Sequence, residues 1–114
     1  MLDGIGSDIE NYMTLLSARE KVVASNIANA DTPGYKTEDI DFSSMLDSAT
    51  GEAEPPKVIH PSGLRVKNDG NNVDLDREAR LLAENALRFN VASNLLRSQM
   101  QDIRTALQDG SQSS

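Results

Sequence analysis

The chain has 114 residues, the length of one ordinary domain, with 38% hydrophobic and only 4% aromatic residues. Its formal charge of −7 argues against a protein that tracks nucleic-acid phosphates, and the absence of cysteine excludes disulfides and thiolate chemistry. No apolar run approaches the roughly 20 residues that span a bilayer, so no membrane insertion is expected.

The first periodic segment runs from about Ser7 to Asn29. Ile5, Ile9, Tyr12, Leu16, Val23 and Ala30 recur at spacings of four and three, with polar Arg19 and Asn26 completing the row. This is an amphipathic helix pattern, widened by Leu15, Val22 and Ile27. Ser7 and Glu10 have capping-box spacing, which predicts the helix start there and a frayed turn at Gly4 and Gly6. Asp31-Thr32-Pro33-Gly34 ends the helix. Pro33 pushes Thr32 toward extended geometry, and Pro-Gly at the centre of a turn predicts type II.

A central segment, 32–72, follows the N-terminal helix segment, 1–31. It holds Pro55, Pro56, Pro61, Gly51, Gly63 and Gly70 among many Ser, Asp and Glu residues. It is expected to be flexible, with Val58-Ile59-His60 and Leu64-Arg65-Val66 as candidate short strands. The C-terminal helix segment is 73–109, with Asp74 as N-cap, Gly110 marking the end and 110–114 as a tail. Leu75, Ala79, Leu82, Ala86, Phe89, Ser93, Leu96, Met100, Ile103 and Leu107 step along it in heptad register, which predicts a coiled-coil seam about 50 Å long.

The expected fold is mainly α: two long terminal helices in a coiled-coil-like hairpin, joined by an irregular, partly extended central segment. Such a hairpin leaves much of both stripes uncovered, and the leftover apolar surface calls for another chain. The alternative is a small monomer in which the middle segment covers the helices. With four aromatic residues (Tyr12, Tyr35, Phe42 and Phe89) to build a core, the assembly is favoured.

No constellation for catalysis emerges, and no metal or cofactor is expected. His60 is the single histidine and stands in a proline-flanked loop, which argues against a catalytic triad or a histidine metal site. Asp69 to Asp74 superficially resembles a calcium loop, but its glycine is misplaced and Val73 takes a ligand position. Gly4-Ile5-Gly6 lacks the third glycine of a dinucleotide loop. Asp74, Asp76 and Glu78 crowd a helix start, where carboxylates meet the positive end of the dipole.

Ala24-Ser25-Asn26-Ile27-Ala28-Asn29-Ala30-Asp31-Thr32-Pro33-Gly34-Tyr35-Lys36 resembles the N-terminal signature of bacterial flagellar rod and hook proteins. Asp39 to Phe42, Gly70 to Glu78 and Leu82 to Phe89 are similar to the proximal rod subunits of that family. The resemblance implies a non-catalytic structural subunit whose terminal helices pack into a helical tube, the periplasmic rod that transmits motor torque. Its implied partners are further copies, other flagellar rod proteins, the rod/MS-ring junction protein and the flagellar type III export apparatus. The N-terminus lacks the basic and apolar regions of a cleaved signal peptide, in keeping with export without cleavage. A soluble helical adaptor or export chaperone that binds a partner helix is the alternative.

Assembly contacts are expected from Ile9, Leu16, Val23, Asn26, Asn29, Pro33, Gly34 and Tyr35, and from Leu82, Phe89, Leu96, Met100, Ile103 and Leu107. Asn26 lies on the seam, where a polar residue can specify register, whereas Asn29 reads more simply as a helix terminator. Tyr35 can bury its ring and hydrogen-bond its hydroxyl at a subunit contact. Phe42-Ser43-Ser44-Met45-Leu46 resembles the Phe-x-x-x-aliphatic element by which early flagellar substrates dock at the export gate, with an ordinary packing contact as the alternative.

Overall fold

In a computed structural model, residues 2–51 and 56–112 are described. Helix α1 spans Leu2–Ala28, strand β1 Asp39–Ile40, helix α2 Phe42–Ala49, strand β2 Val58–Ile59 and helix α3 Leu75–Gln112. The molecule is a rod with extents of 73 × 25 × 18 Å.

The two long helices run antiparallel. Asn26 reaches Glu78, Asn85 reaches the Leu16 carbonyl, and a Cβ on Gly6 would stand 3.9 Å from Leu96, so α3 rises as α1 descends. On α1 the expected stripe is the buried one: Ile9, Leu16, Val23 and Ala30 face inward, and Arg19 and Asn26 are buried with them. The helix begins five residues earlier than the Ser7–Glu10 spacing predicts, and Gly4 and Gly6 are helical.

On α3 the row that meets α1 is not the expected seam. Glu78, Asn85 and Ala92 are buried and Arg88 is half-buried, while Leu75, Leu82, Phe89, Met100 and Leu107 are exposed. Leu96 and Ile103 are half-buried, between the two rows. The helix is turned because the buried Glu78 carboxylate accepts hydrogen bonds from Asn26 and Arg77 on the inner side. Helical pattern alone could not foresee that a polar row would face inward and an apolar row outward. Asp74 caps α3 as expected, its Oδ1 accepting from the Asp76 and Arg77 N–H groups at 3.0 and 3.2 Å. The helix runs through Gly110 to Gln112.

The middle of the chain contains an element the sequence pattern did not announce. Helix α2 follows Asp41, whose carbonyl accepts from the Met45 N–H at 2.9 Å, and packs across α1. Met45, Leu16 and Ile40 form a buried cluster, against which Tyr12, Leu15, Ala18, Val22 and Phe42 pack. Val58–Ile59 pairs antiparallel with Asp39–Ile40, whereas Leu64-Arg65-Val66 forms no strand.

Met45 is fully buried and Leu46, its neighbour, is 45% exposed. Met45→Ala should therefore lower stability by about 2–5 kcal/mol, against well under 1 kcal/mol for Leu46→Ala, as read by thermal melting of the two variants.

Candidate functional site

At the junction where α1 ends and α3 begins, the chain makes a tight turn and then a polar clasp. Thr32, Pro33, Gly34 and Tyr35 form the expected turn: the Tyr35 N–H donates to the Thr32 carbonyl at 3.2 Å and Gly34 has φ 76°. A positive φ at the residue after proline is the type II signature, and glycine adopts it without strain. Gly70, at φ 86°, passes so close that a Cβ on it would stand 3.4 Å from the Gly34 Cα.

Asn26 is the centre of the clasp. It is fully buried, and its carboxamide makes four hydrogen bonds: Nδ2 donates to the Glu38 carbonyl at 2.8 Å and to Glu78 Oε2 at 3.2 Å, while Oδ1 accepts from the Tyr35 hydroxyl at 2.9 Å and the Glu38 N–H at 3.0 Å. One side chain thus joins α1, the stretch between the turn and β1, and α3. Asn71 does the same one step away. Its Nδ2 donates to the Asn29 and Thr32 carbonyls at 2.8 and 2.9 Å, and its Oδ1 accepts from the Val73 N–H at 2.8 Å. Asn72 Oδ1 accepts from the Thr37 N–H at 2.6 Å. Lys67 Nζ donates to the Ala30 carbonyl at 3.1 Å and Lys36 Nζ to the Gly70 carbonyl. The carbonyls left open where a helix ends are met here by side chains from far along the sequence.

A charged chain continues from Glu78. Arg77 donates to Glu78 Oε1 at 2.8 Å and to Asp39 Oδ2 at 2.9 Å, and Arg19 grips Asp39 through two bonds at 3.0 and 3.1 Å. Two carboxylates and two guanidiniums balance. Burial raises the Asp39 pKa, but the Arg19 hydrogen bonds, the Ile40 N–H and the charges of Arg19 and Arg77 outweigh it and hold the carboxyl below the ordinary range.

The residues expected at subunit contacts divide cleanly. Ile9, Leu16, Val23 and Asn26 are buried within the chain, and the Tyr35 hydroxyl is engaged on Asn26 rather than facing outward. Asn29 ends α1: its Nδ2 donates back to the Ser25 carbonyl at 2.8 Å and its Oδ1 accepts from Thr32 Oγ1 at 3.0 Å. Pro33 and Gly34 are exposed, as are Leu82, Phe89, Met100 and Leu107. Phe42 is half-buried with the Arg88 guanidinium 4.7 Å from its ring centroid, and Leu46 faces out one turn on.

The residues that sequence reasoning passed over are Asn71, Asn72, Thr37 and the Arg19–Asp39 pair. Their signal was indirect: Arg19 and Asn26 stand seven residues apart on an apolar stripe, and each needs a polar partner. Among the described residues no group of His, Asp and Glu side chains is placed to hold a metal. Asp69 Oδ1 instead accepts from the Asn71 N–H at 3.0 Å, shaping the turn. His60, exposed at the end of β2, has its Nδ1 3.0 Å from the Thr37 carbonyl.

The Asp39 geometry sets the acid limb of stability. A folded pKa below the unfolded one gives stabilisation that is present above the unfolded value and lost as pH falls through the folded one. Unfolding midpoints measured from pH 7 down to pH 2 should fall through the carboxylate range. Asp39→Asn should be less stable by about 3 kcal/mol at pH 7, since it strands the Arg19 guanidinium and leaves Arg77 with Glu78 alone, and should show a shallower acid limb.

Comparison with known proteins agrees with this arrangement. A model of the family described as flagella basal body rod protein matches residues 13–36, the span from the middle of α1 through the turn. The chain is 35% identical to flagellar basal body rod protein FlgB of Yersinia enterocolitica, with 96% of this chain and 97% of the relative covered. It is 30% identical to the FlgB of Escherichia coli strain K12, covering 96% and 99%, and 25% identical to that of Bacillus subtilis strain 168, covering 96% and 98%. Asn26 and Tyr35 of the clasp lie within the stretch that the family model matches, and the chain belongs to the FlgB family of flagellar basal body rod proteins.

Proposed function

We propose that this structural rod subunit assembles through the outer face of α3, while the clasp holds the hairpin as one rigid unit. The observation that carries the reading is the inversion of α3. Its inward row holds Glu78 at 0% and Asn85 at 4% exposure, whereas Leu82, Phe89, Met100 and Leu107 are 37–71% exposed. A monomeric helix places its apolar residues the other way, and a contiguous exposed apolar face is the mark of an association surface. The family assignment favours a rod subunit over a helical adaptor or export chaperone, whose exposed groove would look similar.

The subunit lies in the proximal rod, in the periplasm, where it packs against further copies, other rod proteins and the rod/MS-ring junction protein. Torque is carried because each hairpin is braced by its charged clasp as well as by apolar packing. The chain performs no catalysis and needs no cofactor. It is a substrate of the flagellar type III export apparatus. Docking at the export gate by Phe42 and Leu46 would use the chain before α2 folds, since Phe42 then lies free of Arg88.

Leu82→Glu and Phe89→Glu should leave the isolated chain's melting temperature within a few degrees of wild type, because both positions are exposed there. In cells the variants should be exported yet missing from purified basal bodies, and the cells non-motile, because assembly would bury an unpaired charge. Normal motility of both variants would overturn the proposed face.

A further inference from the structure

A second apolar feature lies on the opposite side of α3, against α2. Ile9, Tyr12, Leu46, Leu87, Val91 and Leu95 line an open groove of about 570 Å³, with the carboxylates of Asp8 and Glu84 at its rim. Along α3 the groove runs from Glu84 to Leu95, which is about 16 Å of helix. The walls come from three helices, so the shape fits a rod-like apolar object rather than a flat one.

The same chain carries such an object. The pairings of Leu16 with Asn85 and of Gly6 with Leu96 place the start of α1 beside residues near Met100, and α3 continues to Gln112. Its last turns therefore run on past the described part of α1. Met100, Ile103 and Leu107 repeat there at spacings of three and four on one face, with Met100 58% and Leu107 71% exposed. An amphipathic helix that enters a groove uses anchors at this spacing. From Met100 to Leu107 the stripe covers about 10 Å, short enough for the groove to take whole. Arg97 and Arg104 flank the stripe seven residues apart, on one side of the helix, and answer Asp8 at the rim, Glu84 being paired with Arg88 of its own chain at 2.8 Å.

We infer that the C-terminal end of α3 in one copy seats in the groove between α1, α2 and α3 of the next copy. The contact joins two different surfaces, so it is head-to-tail and repeats from subunit to subunit instead of closing as a two-fold dimer. This rests on the rod-subunit reading and adds which surfaces meet. A stripe of about two turns is smaller than the roughly 800 Å² per partner of a standard interface. The contact is consequently formed in the assembly, where neighbours reinforce it, and the test belongs there.

The chain has no cysteine, so an introduced pair reports one contact without background. Basal bodies are purified from the encoding bacterium carrying the Leu46→Cys, Leu107→Cys double variant as its sole copy, oxidised mildly and resolved without reductant. A ladder of cross-linked multimers is expected, with each single variant remaining monomeric. Thr50→Cys with Gln108→Cys, at exposed positions beside the same contact, serves if the first pair fails to enter the rod. A double variant that is present in basal bodies yet stays monomeric would overturn the inference and leave the rod reading intact, the groove then holding something other than a second copy. A product that stops at dimer would overturn the head-to-tail geometry. Absence of the wild-type chain from basal bodies would overturn the rod reading and this inference together.

Discussion

Two long helices joined by an irregular stretch have little to fix their register, because an apolar stripe can slide against another at small cost. Asn26 removes that freedom. Its carboxamide is fully buried and all of its bonding capacity is used, by Glu38, Tyr35 and Glu78. A shift of α3 by one turn would leave Glu78 and Asn26 buried without each other. Stranding a buried polar group costs about 1–3 kcal/mol, and more when it is charged. Asn71 reinforces the constraint by donating to the Asn29 and Thr32 carbonyls just past the end of α1, and Asn72 by accepting from the Thr37 N–H. Register is thus set by hydrogen bonds at one end of the hairpin, and the apolar seam follows from it.

The constraint has a consequence for the outside of the molecule. Turning Glu78 inward rotates α3 so that Leu82 and Phe89 lie at the flank of the α1 contact, where nothing among the described residues covers them fully. The polar inner row also gives up apolar burial within the chain: Asn85 donates to the Leu16 carbonyl at 2.7 Å, but its Oδ1 has no protein partner. A hairpin built this way stabilises itself less than its composition would allow and keeps its adhesive surface for neighbours. That division suits a rod subunit that locks into an assembly, because ordering and association reinforce one another.

Much of this was legible in the residues. The α1 stripe, the type II turn at Pro33-Gly34 and the Asp74 cap follow from local rules that hold whatever the tertiary context, and the structure has all three. Heptad spacing marked α3 as a seam-forming helix but could not say which of its rows would meet α1, since that depends on where Glu78 finds its partners. Helix α2 escaped notice because Phe42 to Ala49 carries only one buried stripe residue per turn, Met45 and then Ala49, amid serines. The clasp was half visible: Arg19 and Asn26 interrupt an apolar row and require partners, but Asp39, Tyr35 and Glu78 are brought to them by the fold. The resemblance of two separated blocks to one family had a physical basis that sequence could not display, namely that the blocks touch.

The central claim is that the clasp stays within each chain while the outer row of α3 is covered by neighbours. A cryo-electron-microscopy map of the assembled basal body, resolved well enough to place side chains, tests it most directly. The account predicts Asn26 bonded to Glu78 of the same chain, with Leu82 and Phe89 packed against an adjacent subunit. A rod in which α1 and α3 of one chain have separated, or in which Leu82 and Phe89 face solvent, would contradict it.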